Sequence, residues 1–548
     1  MQYCWDTALV MADNSYADAA ISVTTIKNMS ETKFSAVSNG AGVAPARMTT
    51  GVEGLDSILE GGLPTNRLYL VEGEPGAGKT TLALQFLMEG ARHGETGLYV
   101  TLSETKEELE SVADSHGWSL AGLTIHELMP SGDTLKPDSQ YTIFHPSEVE
   151  LSETTNAVLQ EVERINPKRV VFDSLSEMRL LARDALRYRR QILALKQYFI
   201  GRQCTVLLLD DKTSDEHDLQ LQSIVHGVLS LEHLAVEYGA ARRRMRVIKL
   251  RGSRFRGGYH DFNLETGGIH IFPRLVAAEH RQPSAGGAVS SDVPALDSLL
   301  GGGLNRGSST LVIGPAGSGK STIGTQFVAA AAKRGEKSAV FVFDEITEMY
   351  LTRARGINTD IRGAVAEGMI ALQQCDPAEL APGEFAQRVI NAVEHHGARV
   401  VVIDSLNGYL NAMPEERFLT IQMHELLTYL NQRGIVTLLI MAQHGFLGTS
   451  MVSPVDVSYL ADTVLMLRYF EAEGAVRRAL SVIKKRAGAH EDTIRELAIT
   501  SEGLRVGQPL TRFRGVLTGV PFYDSPPYND PAYINAKNTL VKEPDDNV

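Results

Sequence analysis

The chain has 548 residues, 43% of them hydrophobic and 22% charged, with a formal net charge of −13 at pH 7. That length exceeds what one hydrophobic core serves and calls for more than one domain, and the composition is globular rather than disordered or fibrous. No apolar run reaches the ~18 residues of a membrane helix. The N-terminus lacks the basic and apolar regions of a secretory leader. Cys4, Cys204 and Cys375 are too scattered for a disulfide framework or a zinc pattern, so a cytoplasmic protein is expected.

Residues 1–46 are polar and Ser/Thr/Ala-rich without sustained periodicity, and read as a disordered extension. A first domain is expected over 47–279. Leu68-Tyr-Leu-Val71 reads as a buried strand that runs into Gly73-Glu-Pro-Gly76-Ala-Gly78-Lys79-Thr80 and then a helix opening at Thr81. This is the P-loop pattern. The glycines free backbone N–H groups to wrap a polyphosphate, Lys79 reaches its terminal phosphates, and the Thr80 hydroxyl ligates Mg²⁺. The next strand, Gly97–Leu102, ends at Ser103-Glu104, which makes Glu104 a candidate catalytic carboxylate able to polarise an attacking water. The strand Val170–Phe172 ends at Asp173, a position from which a carboxylate can hold Mg²⁺ opposite the P-loop hydroxyl; the alternative is an Asp capping the following helix. After the strand Thr205–Leu209, the stretch Arg242–Arg256 carries eight cations, among them Lys249 and Arg251.

The segment 280–288 has the composition of a linker, and the same signals then recur over a second domain, 289–516. Gly314-Pro-Ala-Gly317-Ser-Gly319-Lys320-Ser321, followed by Thr322, is a second P-loop, with Ser321 as its Mg²⁺-binding hydroxyl. Ala339–Phe343 ends at Asp344-Glu345, two candidate catalytic carboxylates. Val400–Ile403 ends at Asp404, a second candidate Mg²⁺ ligand, and Lys484 and Arg486 match Lys249 and Arg251. The paired features lie 241, 231 and 235 residues apart, a drift that loop insertions produce in a duplicated domain. Short β-branched strands alternating with helices predict an α/β fold in which each repeat is a mainly parallel sheet flanked by helices. Residues 517–548 read as a flexible acidic tail.

With both P-loops, the matching Leu55-Asp56-Ser57 and Leu296-Asp297-Ser298 lead-ins, both Asp-Ser-Leu strand ends and the Lys-x-Arg strands in place, the chain resembles the KaiC family over about residues 47–516. The resemblance implies two tandem RecA-like P-loop NTPase domains, ATP as the nucleotide, a homohexamer with ATP between subunits, hydrolysis in the first domain and autophosphorylation of adjacent hydroxyl residues in the second. The segment Gly448–Thr463 resembles the family's phosphorylation segment and makes Ser458, with Tyr459 beside it, the expected acceptor. Two departures stand out: Ser103-Glu104 replaces the family's Glu-Glu, and Ser458-Tyr459 its Ser-Thr pair.

The basic stretch admits a DNA-binding patch, a solvated face, or cations that reach a neighbouring subunit's γ-phosphate. The net negative charge and the recurrence in both repeats favour the last, with Lys249, Arg251, Lys484 and Arg486 in that role. The reading is thus a KaiC-like ATPase and serine autokinase in signalling or timing. A non-catalytic nucleotide switch and a DNA-dependent RecA-like motor are the alternatives.

Overall fold

The structure is a computed structural model that describes residues 46–128, 146–182, 184–212, 219–235, 239–280, 286–411, 418–443, 460–517 and 522–523. Ser458 and Tyr459, the N-terminal extension expected at 1–46 (all but its last residue) and most of the tail expected at 517–548 lie outside the described residues. Among the described residues no helix is long and apolar enough to cross a membrane.

Each repeat builds one nine-stranded sheet from its described residues. In the first repeat the strands are β1 (Leu68–Gly73), β2 (Gly97–Thr101), β3 (Thr124–Glu127), β4 (Arg169–Asp173), β5 (Thr205–Asp211), β6 (Gly227–Leu234), β7 (Arg242–Leu250), β8 (His260–Glu265) and β9 (Gly268–Phe272). Their spatial order is β3-β2-β4-β5-β1-β6-β7-β8-β9. Pairings from β3 to β6 are parallel, and those from β6 to β9 antiparallel. The main helices are α1 (Lys79–Arg92), α2 (Lys106–Ser115), α3 (Pro146–Ile165), α4 (Leu175–Ala182) and α5 (Ala185–Gly201).

The second repeat follows the same plan. Its strands are β10 (Ser309–Gly314), β11 (Ser338–Val342), β12 (Ile370–Gln374), β13 (Val400–Asp404), β14 (Val436–Ala442), β15 (Thr463–Ala472), β16 (Ala475–Lys485), β17 (Arg495–Thr500) and β18 (Gly503–Pro509), in the order β12-β11-β13-β14-β10-β15-β16-β17-β18. Its main helices are α6 (Lys320–Lys333), α7 (Thr347–Gly356), α8 (Pro382–Glu394), α9 (Leu406–Asn411) and α10 (Leu419–Gln432). The architecture is two tandem RecA-like domains of mainly parallel sheet flanked by helices.

The apolar strand runs bury both faces of each sheet, as parallel strands between helices require. Alternation divides the core: Tyr69, Val71 and Val171 meet Leu82 and Phe86 of α1, while Leu68, Leu70 and Val170 meet Ile192, Leu195 and Phe199 of α5. Arg169 starts β4 fully buried. Its guanidinium donates to Thr49 O (2.7 Å), Phe86 O (2.8 Å) and Glu95 (2.6 Å), which anchors α1 to the sheet.

The basic stretch belongs to this framework rather than to a solvated face, one of the alternatives its composition left open. Most of it is strand β7. Arg242 is 5% exposed and donates to Pro377 O and Ala378 O of the other repeat (3.1 and 3.0 Å). Arg244 pairs with Glu232 at 2.9 Å, and Tyr259 lies beneath the guanidinium. The repeat junction also includes Asp261 accepting from Gly383 N–H (2.7 Å) and Asn263 donating to Glu384 (2.7 Å).

Candidate active sites

Both phosphate loops leave the C-terminal end of a central strand, β1 or β10, and lead straight into α1 or α6. Free backbone N–H groups and the helix dipole there favour an anion. Gly78 (φ 97°) and Gly319 (φ 104°) turn the chain into the helix through left-handed backbone. A Cβ at Gly319 would lie 2.4 Å from Ile499 Cδ1, and one at Gly78 3.1 Å from Leu264 Cδ1. Sterics as well as φ therefore reserve these positions for glycine. Gly76 and Gly317 also have positive φ. Thr81 and Thr322 are buried in the first helical turn.

At site one, Lys79 is 8% exposed, and its ammonium donates to Gly73 O (2.9 Å) and Glu74 O (3.0 Å) and pairs with Asp211 at 2.8 Å. Asp173 ends β4 as expected. Tyr99 OH donates to its Oδ2 (2.5 Å), the Thr80 hydroxyl bonds the same carboxyl, and burial raises its pKa. Glu104 follows β2. The Thr101 hydroxyl donates to Glu104 O (2.7 Å) and accepts from its N–H (3.0 Å), and a Thr105–Glu108 capping box starts α2 immediately after. Its backbone is thus pinned on both sides. Its Oε2 is buried with no hydrogen-bond partner among the described residues. Burial, with Asp173 and Glu108 close by, pushes its pKa up to about 7.

Site two reverses this distribution. Lys320 donates to Pro315 O (2.7 Å), and burial lowers its pKa against the opposing pull of Asp404 and Asp344. Where β5 places Asp211 beside Gly73, β14 places Ala442 beside Gly314. Asp404 accepts from Ser321, keeps a buried Oδ2 without a hydrogen-bond partner among the described residues, and is pushed up to about 6 by burial. Asp344 accepts from Ser405 Oγ (2.5 Å), and Glu345 Oε1 accepts from Arg353 (2.5 Å). These groups line a cavity of about 450 Å³ that also reaches Arg478 and Ile499. A carboxylate and a hydroxyl converging beside each phosphate loop fit the oxygen-ligand chemistry of Mg²⁺.

The P-loop residues, Glu104 with Asp173, and Asp344 and Glu345 with Asp404 are thus brought together. Lys249, Arg251, Lys484 and Arg486 are not brought to their own chain's phosphate loops. The register sets Lys249 beside Val228 and Val228 beside Leu70, toward the end of β1 away from its loop. Lys249 bonds Gln222 O, Arg251 bonds Ser223 O (2.6 Å), Lys484 bonds Ala461 O (2.8 Å), and Arg486 pairs with Asp462 at 3.2 Å. Sequence reasoning missed Asp211, Tyr99, Arg353 and Arg478. The strand-end carboxylates Asp210-Asp211 after Thr205–Leu209 were the one visible signal among these.

A family model described as "ATPase: KaiC" matches residues 48–276 and again 289–511. The circadian clock oscillator protein KaiC of a Picosynechococcus species is 27% identical over 88% of this chain and 94% of its own length. That of Parasynechococcus marenigrum is 26% identical over 89% and 96%. The circadian clock protein KaiC3 of a Synechocystis species is 26% identical over 87% and 95%. With a matching domain around each of its two phosphate loops, the chain belongs to the KaiC family of ATPases.

Proposed function

We propose that the protein hydrolyses ATP at site one and transfers phosphate from ATP to Ser458 at site two, as a signalling or timing regulator. The observation that carries this reading is the contrast between the two carboxylates. Glu104 is half-buried, its Oε2 has no hydrogen-bond partner among the described residues, and its pKa is pushed up to about 7, where a general base works well near neutral pH. In this reading Glu104 takes a proton from water as the oxygen bonds to the γ-phosphorus, and the bond to the ADP oxygen breaks. At site two Glu345 takes the Ser458 hydroxyl proton while that oxygen displaces ADP. Thr80 with Asp173, and Ser321 with Asp404, would hold Mg²⁺, which when bound neutralises charge on the phosphates.

Lys249, Arg251, Lys484 and Arg486 act in this scheme on the γ-phosphate of a neighbouring subunit in a homohexamer. Their remoteness from their own phosphate loops supports a role in trans, where such cations contribute roughly 10³–10⁵ in rate. The domain limits are proposed at 47–279 and 289–516, and the compartment as the cytoplasm. Phosphate release by Lys79→Ala and Lys320→Ala tests the division of labour. Steady-state hydrolysis falls chiefly in Lys79→Ala; equal losses in the two variants would overturn it.

A further inference from the structure

Arg353 lies on α7 with its guanidinium over the Tyr350 ring, 4.6 Å from the centroid. Tyr350 is fully buried, and its hydroxyl accepts from Thr325 (2.8 Å), a residue of α6, the helix that opens with Lys320 and Ser321. A continuous line of contacts therefore runs from the phosphate-loop helix through Thr325, Tyr350 and Arg353 to Glu345. The Arg353 and Glu345 side chains are only 29% and 28% exposed, so solvent screens their contact weakly. Arg353 Nη1 is buried without a hydrogen-bond partner among the described residues, and the residue lines the site-two cavity. At the positions equivalent to Thr325, Tyr350 and Arg353, repeat one carries Leu84, Leu109 and Val112, all apolar. The relay exists in one repeat and not in the other.

We propose that Arg353 is the positioning residue of site two, holding the Glu345 carboxylate in one orientation through a brace that reaches back to the phosphate-loop helix. This rests on the reading of site two as a phosphoryl-transfer site. A serine hydroxyl tethered to the chain approaches along a restricted path, so its base must stand where the path ends, whereas water can move to a base whose carboxylate no ion pair orients. Glu104, whose Oε2 has no partner among the described residues, suits water; Glu345, clamped, suits a tethered acceptor.

The test uses the full chain carrying Lys79→Ala, so that only site two turns over. Total consumption of γ-phosphate, released plus protein-bound, is measured beside the affinity for a fluorescent ATP analogue. Arg353→Gln lowers the turnover rate about 10–100-fold, as loss of an orienting partner does, with affinity held within about twofold. Arg353→Lys retains part of the rate. Adding Arg353→Gln to Glu345→Gln costs nothing further, because the two act as one unit. Thr325→Val, which preserves shape, lowers the rate in the same direction and serves if Arg353→Gln does not fold. Full activity in Arg353→Gln or Thr325→Val, or additive losses with Glu345→Gln, overturns the proposal. No consumption in the Lys79→Ala parent would instead remove the reading of site two as catalytic, and the proposal with it.

Discussion

At the scale of single residues, Glu104 and Asp211 define site one. Glu104→Gln keeps the side chain's shape but cannot accept a proton, so hydrolysis falls by roughly 10²–10⁴ while ATP binding persists. If Glu104 is the base it works only when ionised, and its pKa is pushed up to about 7 in the free protein. Hydrolytic kcat/KM should therefore rise with pH through about 7 and flatten above it, and a profile flat from pH 5 to 8 would assign the base elsewhere. The raised pKa has a stability counterpart of fixed sign. Below the unfolded carboxyl pKa the group is neutral in both states; as pH rises from there to about 7 only the unfolded state loses its proton, so the native fold loses stability, and the loss is complete above 7. Glu104→Gln should accordingly unfold at a higher temperature than wild type at pH 8, with the difference gone at pH 4. Asp211 pairs with the Lys79 ammonium, which in the proposed scheme reaches the terminal phosphates. The pair is partly exposed, and Asp211→Asn frees the lysine to tighten ATP at site one about twofold to fivefold, measured by titration in Lys320→Ala. Weaker binding would mean that Asp211 helps hold the bound nucleotide.

At the scale of elements, the sheets place the sites and α1 and α6 open them. Arg169 joins β4, α1 and the Thr49 backbone around one buried cation. Arg169→Met leaves those carbonyls and Glu95 unpaired, at a cost of about 3–5 kcal/mol. At about 2–4 °C per kcal/mol for a domain of this size, the first repeat's melting temperature should fall by some 6–20 °C, read by calorimetry, with the second repeat's transition unchanged. The central strands were legible in the sequence: Val170–Phe172 became β4 and Val400–Ile403 became β13 because apolar runs ending in Asp match a buried parallel strand. The basic run was not legible. Its composition left a DNA patch, a solvated face and cations acting in trans all open, yet β-alternation and the repeat junction consume Arg242 and Arg244 internally, a consequence of which strands pair rather than of local sequence.

At the scale of the whole molecule, one duplicated frame carries two electrostatically different sites. The P-loops were readable because their chemistry depends on contiguous spacing, as were Asp173 and Asp404 at strand ends. The contacts that set the sites apart were not: Lys79 with Asp211, Tyr99 with Asp173 and Glu345 with Arg353 join residues from separate elements, and only register brings them together. Assembly should follow nucleotide. If Lys249, Arg251, Lys484 and Arg486 meet a neighbour's γ-phosphate, light scattering gives a larger particle with Mg-ATP than without, and a monomer at saturating Mg-ATP would exclude action in trans. The central claim is that site two transfers phosphate to this chain. Its most direct test is mass-spectrometric mapping of phosphate after incubation with Mg-ATP, comparing wild type with Lys320→Ala and Ser458→Ala. The account predicts phosphate mainly on Ser458 in the wild type and none there in Lys320→Ala. Phosphate chiefly on Tyr459, total labelling unchanged in Ser458→Ala, or none in the wild type would contradict it.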